Sequence, residues 1–171
     1  MNTEKSDRIV EAWKQQTNTL QRARFVNQRT FRSSPETLFR LLCPTTEYDW
    51  LPGFECDLLH SESGYAEYNA VFNTNVFGPE ETWICTRFET AKAIDYASVS
   101  EHVCGKLDIS VVDNGDGTVT GIWIVTRSAL TENGNMTEAE MQQAQARFVQ
   151  ILDWLEHYVN TGEMASEAAV H

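Results

Sequence analysis

Tryptophan and arginine side chains at alternating strand positions are the residues of this chain whose types and spacing could do chemistry. Trp83 and Arg87 share one face of a predicted strand, and Trp123 and Arg127 share one face of another, because side chains alternate with period two. If these faces border a pocket, a buried arginine without a carboxylate partner requires an anionic or carbonyl-bearing ligand. If they face outward, the arginines are solvated and the tryptophans form cross-strand pairs. Both arrangements stay open, since the opposite faces are equally apolar.

A third arginine is also a candidate for a binding site. Arg29 lies on the same face of its predicted strand as Phe31. It is either a partly buried cation, with Glu67 and Asn69 as partners across the sheet, or a surface side chain whose stem covers apolar area.

An irregular but apolar segment surrounds Trp50, which stands next to Pro52 and Gly53. Such loops carry function when a rigid scaffold supports them. Trp50 therefore belongs either to a lid over a pocket mouth or to a plug at the end of the core.

Histidine and cysteine residues form no metal or nucleophile motif. His102 and Cys104 are a single pair at strand spacing, whereas a zinc site needs three or four ligands. The sequence therefore predicts no metal and no cofactor. The four cysteines are spread through the chain without a close pair, which predicts small buried side chains in a reducing compartment. Tyr96 or His102 could still act as a general acid or base from a late strand.

A long amphipathic helix is predicted over residues 137–162. Thr137 and Glu140 have the spacing of a capping box, and Gly162 can take the left-handed backbone that ends a helix. Apolar residues recur between them at three- and four-residue steps: Met141, Ala144, Phe148, Ile151, Leu152, Leu155 and Val159. Because such a helix is not stable alone in water, its apolar stripe must pack on a large surface.

Seven predicted strands supply that surface. The first covers residues 22–31, and Ser34 and Pro35 begin a brief helix after it. Six more follow at residues 56–61, 65–74, 81–89, 93–100, 105–113 and 118–129. Turn signals between them, strongest around Gly115, predict hairpins and hence an antiparallel sheet. Such a sheet curls, and a helix across its concave face leaves a space between the two layers.

Composition limits the partners of this chain. Its 171 residues favour one domain, and 13 basic against 25 acidic side chains give a net charge of −12. This charge argues against nucleic acid and against an anionic membrane surface, but not against an uncharged or lipophilic ligand. No apolar run is long enough to cross a membrane, and the first residues lack the plan of a signal peptide, so membrane insertion is not expected and a cytoplasmic location is predicted.

Three parts of the chain carry a family resemblance: residues 29–42 (RTFRSSPETLFRLL), the loop at 50–54 (WLPGF) and the closing helix. They resemble the START-like helix-grip superfamily, which includes polyketide cyclases, pollen-allergen-type ligand carriers and lipid-transfer domains. The resemblance implies an α+β helix-grip fold. In that fold, a curved seven-stranded antiparallel sheet wraps around a long C-terminal helix, with two short helices between strands 1 and 2. It also implies a deep pocket for an apolar or aromatic molecule, and no catalytic triad.

Three regions follow from this resemblance: an N-terminal extension at residues 1–20, where a short helix fits, a ligand-binding domain at 21–162 and a disordered tail at 163–171. The leading hypothesis is a carrier or sensor that binds a small hydrophobic or aromatic molecule between sheet and helix. Space is expected to open where the small Ala144 lies beside Phe148. The predicted cavity residues are Arg29, Trp50, Trp83, Arg87, Tyr96, Trp123, Arg127, Ala144, Phe148 and Leu152.

Two alternatives remain open. One is an enzyme resembling polyketide cyclases or dehydratases, in which Arg87, Tyr96 and Arg127 orient a carbonyl. The other is a non-enzymatic protein-interaction module that uses Trp13, Trp154 or the acidic surface. The sequence predicts no particular ligand and no oligomeric state.

Overall fold

The structure, a computed structural model, describes residues 8–9, 11–12, 19–76 and 81–166. From residue 19 onward, seven strands and three α-helices follow one another among these residues. In chain order they are β1 (Arg22–Phe31), α1 (Pro35–Leu41), α2 (Pro44–Glu47), β2 (Cys56–His60), β3 (Val71–Thr74), β4 (Glu81–Glu89), β5 (Ala93–Val99), β6 (Val103–Asp113), β7 (Val119–Ala129) and α3 (Glu138–Thr161). A short 3₁₀ turn at Glu132–Gly134 precedes α3.

The strands form one antiparallel sheet in the order β1-β7-β6-β5-β4-β3-β2. Successive hairpins place β2 to β7 side by side, and β7 then pairs along its length with β1. The helices α1 and α2 carry the chain from β1 at one edge to β2 at the other. The predicted α+β helix-grip architecture is therefore confirmed, including the two short helices between strands 1 and 2.

Local hydrogen bonds explain where the helices begin and end. The Ser34 hydroxyl accepts a hydrogen bond from the Thr37 N–H at 3.2 Å, and Pro35 occupies the first turn of α1. At the start of α3, Thr137 and Glu140 form the predicted capping box, and Gly162 ends the helix with φ of 74°.

Only the end of the predicted strand at residues 65–74 is extended, since β3 begins at Val71. The Glu67 carboxylate accepts hydrogen bonds from the backbone N–H groups of Glu62 and Ser63, which folds this segment into a turn. Asn69 follows with a left-handed backbone, φ of 68°. These hydrogen bonds between a side chain and the backbone compete with the pairing of this segment as a strand, as such bonds commonly do in turns.

The core lies between the concave face of the sheet and α3. In α3 the buried residues are Phe148, Ile151, Leu152, Trp154 and Leu155. They all lie in the stretch from Phe148 to Leu155, and none of the residues from Glu138 to Arg147 is buried. The helix thus buries this stretch against the core, while its first turns are largely exposed and reach the sheet through Gln145, whose side-chain amide donates to the Asn27 Oδ1 at 2.7 Å.

The described residues cover only part of the predicted N-terminal extension and part of the predicted disordered tail. In the N-terminal extension, residues 8, 9, 11 and 12 are helical and exposed, and the rest of residues 1–18, including Trp13, lies outside the described residues. In the predicted disordered tail, Ala165 is buried against the core, in contrast to the expectation for that residue. Residues 167–171 lie outside the described part.

Candidate functional site

A cavity lies between the concave face of the sheet and the stretch of α3 from Phe148 to Leu155. The sheet contributes Phe72, Thr74, Trp83, Tyr96, Leu107, Ile109 and Trp123. The remaining walls are formed by Leu42, Pro44, Glu47, Trp50, Leu51, Val76, Phe148, Ile151, Leu152 and Leu155. The cavity has a volume of about 60 Å³, or about 620 Å³ when all the space between the lining atoms and at the open mouth is counted.

Six aromatic rings dominate the lining: Trp50, Phe72, Trp83, Tyr96, Trp123 and Phe148. The rings of Phe72 and Tyr96 meet edge to face, with centroids 5.4 Å apart. Trp123 packs in the same manner on Phe31, at 6.2 Å. The indole of Trp123 also depends on Gly121, because a Cβ atom at that position would lie 2.3 Å from the ring. The glycine therefore leaves the room that the indole occupies in the wall.

Two of these aromatic side chains donate hydrogen bonds to backbone carbonyls, one in α1 and one in the residue after it. The Trp50 Nε1–H donates to the Leu41 carbonyl at 2.9 Å, and the Tyr96 hydroxyl donates to the Leu42 carbonyl at 3.1 Å. Burial raises the pKa of Tyr96 well above its ordinary value, so its hydroxyl keeps its proton. Trp50 is 2% exposed, which agrees with the plug rather than the lid.

Glu47 is the last residue of α2. Among the described residues that line the cavity, it is the one that carries a carboxyl group. Glu47 is half-buried, and the burial of its carboxyl alone raises the pKa of this group to about 8. No residue in the described part of the chain donates a hydrogen bond to its carboxyl or pairs with it as a cation. An acid with this pKa can both hold and release a proton near neutral pH. Glu47 is not among the cavity residues predicted from the sequence, because its position is set by the two short helices.

Three cysteine side chains lie near this cavity. Cys43 and Cys85 are buried and Cys56 is half-buried, and all are free. Burial raises the pKa of Cys56 and of Cys85 to about 11, so neither provides a thiolate at neutral pH. Nucleophilic catalysis by Cys56 or Cys85 is therefore disfavoured.

Six of the ten predicted cavity residues line the cavity: Trp50, Trp83, Tyr96, Trp123, Phe148 and Leu152. They come from β4, β5, β7, α3 and the segment after α2. That any of them contacts a ligand stays a prediction. The other four, Arg29, Arg87, Arg127 and Ala144, are not among the residues that line it.

Arg87 faces away from the cavity because β4 contains a bulge. Cys85 pairs with Tyr96, whereas Arg87 pairs with Asp95, so Thr86 is the extra residue. Trp83 and Cys85 are buried, but beyond the bulge it is Phe88 that packs inward, on Phe39. The Arg87 guanidinium instead lies in solvent and pairs with Glu89 at 2.9 Å. The prediction that Arg87 shares the face of Trp83 is wrong for this reason.

Arg127 and Ala144 also lie elsewhere. Arg127 keeps the face of Trp123 but stands near the end of β7, where its guanidinium donates a hydrogen bond to the Gly134 carbonyl. Ala144 is exposed on α3, before the buried stretch of the helix begins at Phe148. Ala144 therefore opens no space beside Phe148.

Arg29 binds α3 and not the residues predicted across the sheet. Its guanidinium donates to Asp153 at 2.7 Å and also to Glu156. Glu67 and Asn69 belong to the turn before β3, at the opposite edge of the sheet. The Arg29 side chain is 26% exposed, so it joins the edge strand β1 to the closing helix in a partly buried ion-pair network.

We expect the substitution Arg29→Met to lower the free energy of unfolding by about 1–2 kcal/mol, because it leaves two neighbouring carboxylates without their cation. Arg24→Met is the matched control, since Arg24 is exposed on the opposite face of the same strand. That change should stay within about 0.5 kcal/mol. Urea unfolding measures both, and equal effects of the two substitutions would contradict a stabilising network at Arg29.

His102 lies away from the cavity. Its ring Nδ1 forms a hydrogen bond of 2.9 Å with the Thr131 hydroxyl at the end of the sheet. Among the described residues, no group of three or more histidine, cysteine, aspartate or glutamate side chains could hold a metal ion. None of the helices in those residues is both long and apolar enough to cross a membrane.

Comparison with known proteins identifies the fold and no activity. Neither the known family models nor the curated proteins contain a match to this sequence. Among solved structures, Ara h 8.0201 is similar with a TM-score of 0.61 and 14% identity, over 82% of this chain and 99% of that one. EF2215 from Enterococcus faecalis, a conserved protein of unknown function, is similar with a TM-score of 0.62 and 20% identity, over 88% of this chain and 78% of that one.

CalU16 from Micromonospora echinospora is similar with a TM-score of 0.55 and 10% identity, over 84% of this chain and 87% of that one. Ara h 8 and CalU16 both have helix-grip folds. At these identities the likeness shows the fold alone. The chain therefore has the helix-grip fold that the sequence resemblance predicted.

Proposed function

We propose that this chain binds a small hydrophobic or aromatic molecule in the cavity between its sheet and α3, as a carrier or sensor. The observation that carries the proposal is the cavity itself, with six aromatic rings in its wall. Apolar cavities with a few polar groups are the usual form of small-molecule sites. The Bet v 1-like and polyketide cyclase-like character of the structural neighbours agrees with such a use of the fold.

The size of the cavity limits the ligand. A volume of about 60 Å³ holds a few water molecules, at about 10–15 Å³ for each. A single aromatic ring is therefore the size of molecule that needs the least rearrangement. Larger molecules require side chains at the open mouth to move.

The two alternative functions have less support. Of the three residues named for a cyclase-like enzyme, Arg87 is solvated, Arg127 binds the Gly134 carbonyl, and only Tyr96 borders the cavity. The protein-interaction module relied in part on Trp154, which is 1% exposed and so offers no docking surface.

We expect the substitution Leu107→Trp to weaken the binding of neutral aromatic molecules at least about tenfold, which corresponds to about 1.4 kcal/mol. Leu107 lines the cavity and is half-buried, so an indole there occupies the space that a ligand needs. The probes are 2-phenylethanol, indole and 2-naphthol, and binding is followed by NMR chemical-shift changes during titration.

Val112→Trp is the matched control, because Val112 is 45% exposed on the same strand. It should bind the probes within about twofold of the natural chain, and circular dichroism checks that both variants are folded. The proposed function is wrong if none of the three probes binds saturably to the natural chain, or if Leu107→Trp binds as well as Val112→Trp does.

A further inference from the structure

The cavity has an unbalanced set of charges. Its described lining residues include one carboxyl, that of Glu47, and no lysine, arginine or histidine. The titratable neighbours of Glu47 are the Tyr96 hydroxyl and the Cys56 thiol, and both stay protonated at neutral pH. An anionic ligand would therefore meet no counterion in this cavity, whereas a cationic ligand would meet one.

The aromatic walls favour the same sign of charge. A cation is attracted to the faces of aromatic rings, most strongly to those of tryptophan, and Trp50, Trp83 and Trp123 all line the cavity. The net charge of −12 adds a long-range attraction for cations and repels anions during encounter.

The Glu47 carboxyl has neither a cation nor a hydrogen-bond donor as a partner among the described residues, and a ligand could supply both. A carboxylate in an apolar environment is costly unless a cation or hydrogen-bond donors accompany it. A protonated amine provides the positive charge and the N–H donors together, and such charge-assisted hydrogen bonds are the strong ones. A neutral alcohol of the same shape provides only a neutral hydrogen bond.

We propose that the cavity selects small aromatic or aliphatic molecules that carry a protonated amine, with the Glu47 carboxylate as the counterion and the tryptophan rings around the cation. The inference rests on the proposed function, since it assumes that this cavity is the binding site. It assigns the class of ligand, a hydrophobic amine, which the fold alone does not specify.

Binding of an amine also moves a proton. In the free protein the carboxyl of Glu47 holds its proton below its pKa of about 8. The ammonium group keeps its own proton, so the ion pair forms only when Glu47 releases its proton to the buffer. Each amine bound near pH 6.5 therefore releases close to one proton, and a neutral ligand releases none.

Three probes of matched shape test the proposal: 2-phenylethylamine as the cation, 2-phenylethanol as the neutral molecule and phenylacetate as the anion. Isothermal titration calorimetry near pH 6.5, repeated in buffers of different ionisation enthalpy, gives both the affinity and the number of protons released. We expect the amine to bind about 10- to 100-fold more tightly than the alcohol, and phenylacetate to bind least.

The substitution Glu47→Gln should remove the preference, so that amine and alcohol bind within about threefold of each other and no proton is released. Asp49→Asn is the matched control, since it removes an exposed acidic charge two residues away and should leave the preference intact. Glutamine has the shape of a protonated glutamate, and circular dichroism checks that the variant is folded.

The outcomes separate the two proposals. Binding of 2-phenylethanol without a preference for the amine overturns the inference and leaves the proposed function standing. A preference that survives in Glu47→Gln also overturns it, because Glu47 is then not the counterion. Failure of all three probes to bind overturns the inference, and the proposed function falls with it only if indole and 2-naphthol also fail to bind.

Discussion

At pH 8, the variant Glu47→Gln is expected to be more stable than the natural chain by on the order of 4 kcal/mol. The cause is the burial of the Glu47 carboxyl, which raises its pKa from 4.5 to about 8. Ionising this group inside an apolar cavity costs free energy, whereas ionising it in the unfolded chain does not. Glutamine cannot ionise and therefore does not incur this cost.

The direction of the pH dependence follows from the raised pKa. Below about pH 4.5 the carboxyl is protonated in both the folded and the unfolded chain, so the natural chain and the variant should be nearly equal in stability. Between pH 4.5 and 8 only the unfolded chain releases the proton, and this stabilises the unfolded state. The contribution of Glu47 to stability is thus present at low pH and is lost as the pH rises through this window.

Urea unfolding of both proteins at pH 4.5, 6 and 8 measures this effect, and the difference between them should grow with pH. Asp49→Asn again serves as the control, since Asp49 is exposed and its substitution should show no such trend. A constant difference across the three pH values would show that the Glu47 carboxyl is solvated in the folded protein.

The second large effect is expected for Trp154→Ala, which should lower the free energy of unfolding by about 3–5 kcal/mol. Trp154 is 1% exposed and belongs to the core that holds α3 against the sheet. Alanine removes most of the buried area of the side chain and leaves a void. The unpaired Nε1–H of Trp154, which finds no acceptor among the described residues, makes the loss smaller than for a fully satisfied indole.

His157→Ala is the matched control, because His157 is exposed on the same helix. It should change stability by less than about 0.5 kcal/mol. Thermal or urea unfolding at pH 6 compares the two variants. A loss below about 1 kcal/mol for Trp154→Ala would mean that α3 is not anchored through this indole.

The parts of the fold that follow from local chemistry could be predicted from the sequence. Thr137 and Glu140 form their capping box within one turn, so the start of α3 needs no information about the rest of the chain. The same holds for Ser34 at α1 and for the hairpin turn around Gly115. Because the strands are joined mainly by hairpins, their order in the sheet also follows from the order of the turns.

The parts that depend on distant contacts could not be predicted. Arg29 pairs with Asp153 and Glu156, more than 120 positions along the chain, and nothing in the sequence links them. Ala144 has the spacing of the apolar stripe but lies before the buried stretch of α3. Glu47 looks like an ordinary loop carboxylate in the sequence, because only the packing of α2 against the sheet gives it an apolar environment.

The bulge in β4 has an electrostatic consequence for the interior. Up to Cys85 the odd-numbered side chains of this strand point inward, and after Thr86 the even-numbered ones do. If the same sequence ran through β4 without the bulge, regular alternation would turn the guanidinium of Arg87 inward and Phe88 outward. The change of parity thus keeps a permanent positive charge out of the apolar core at Phe39, and it places an aromatic ring there instead.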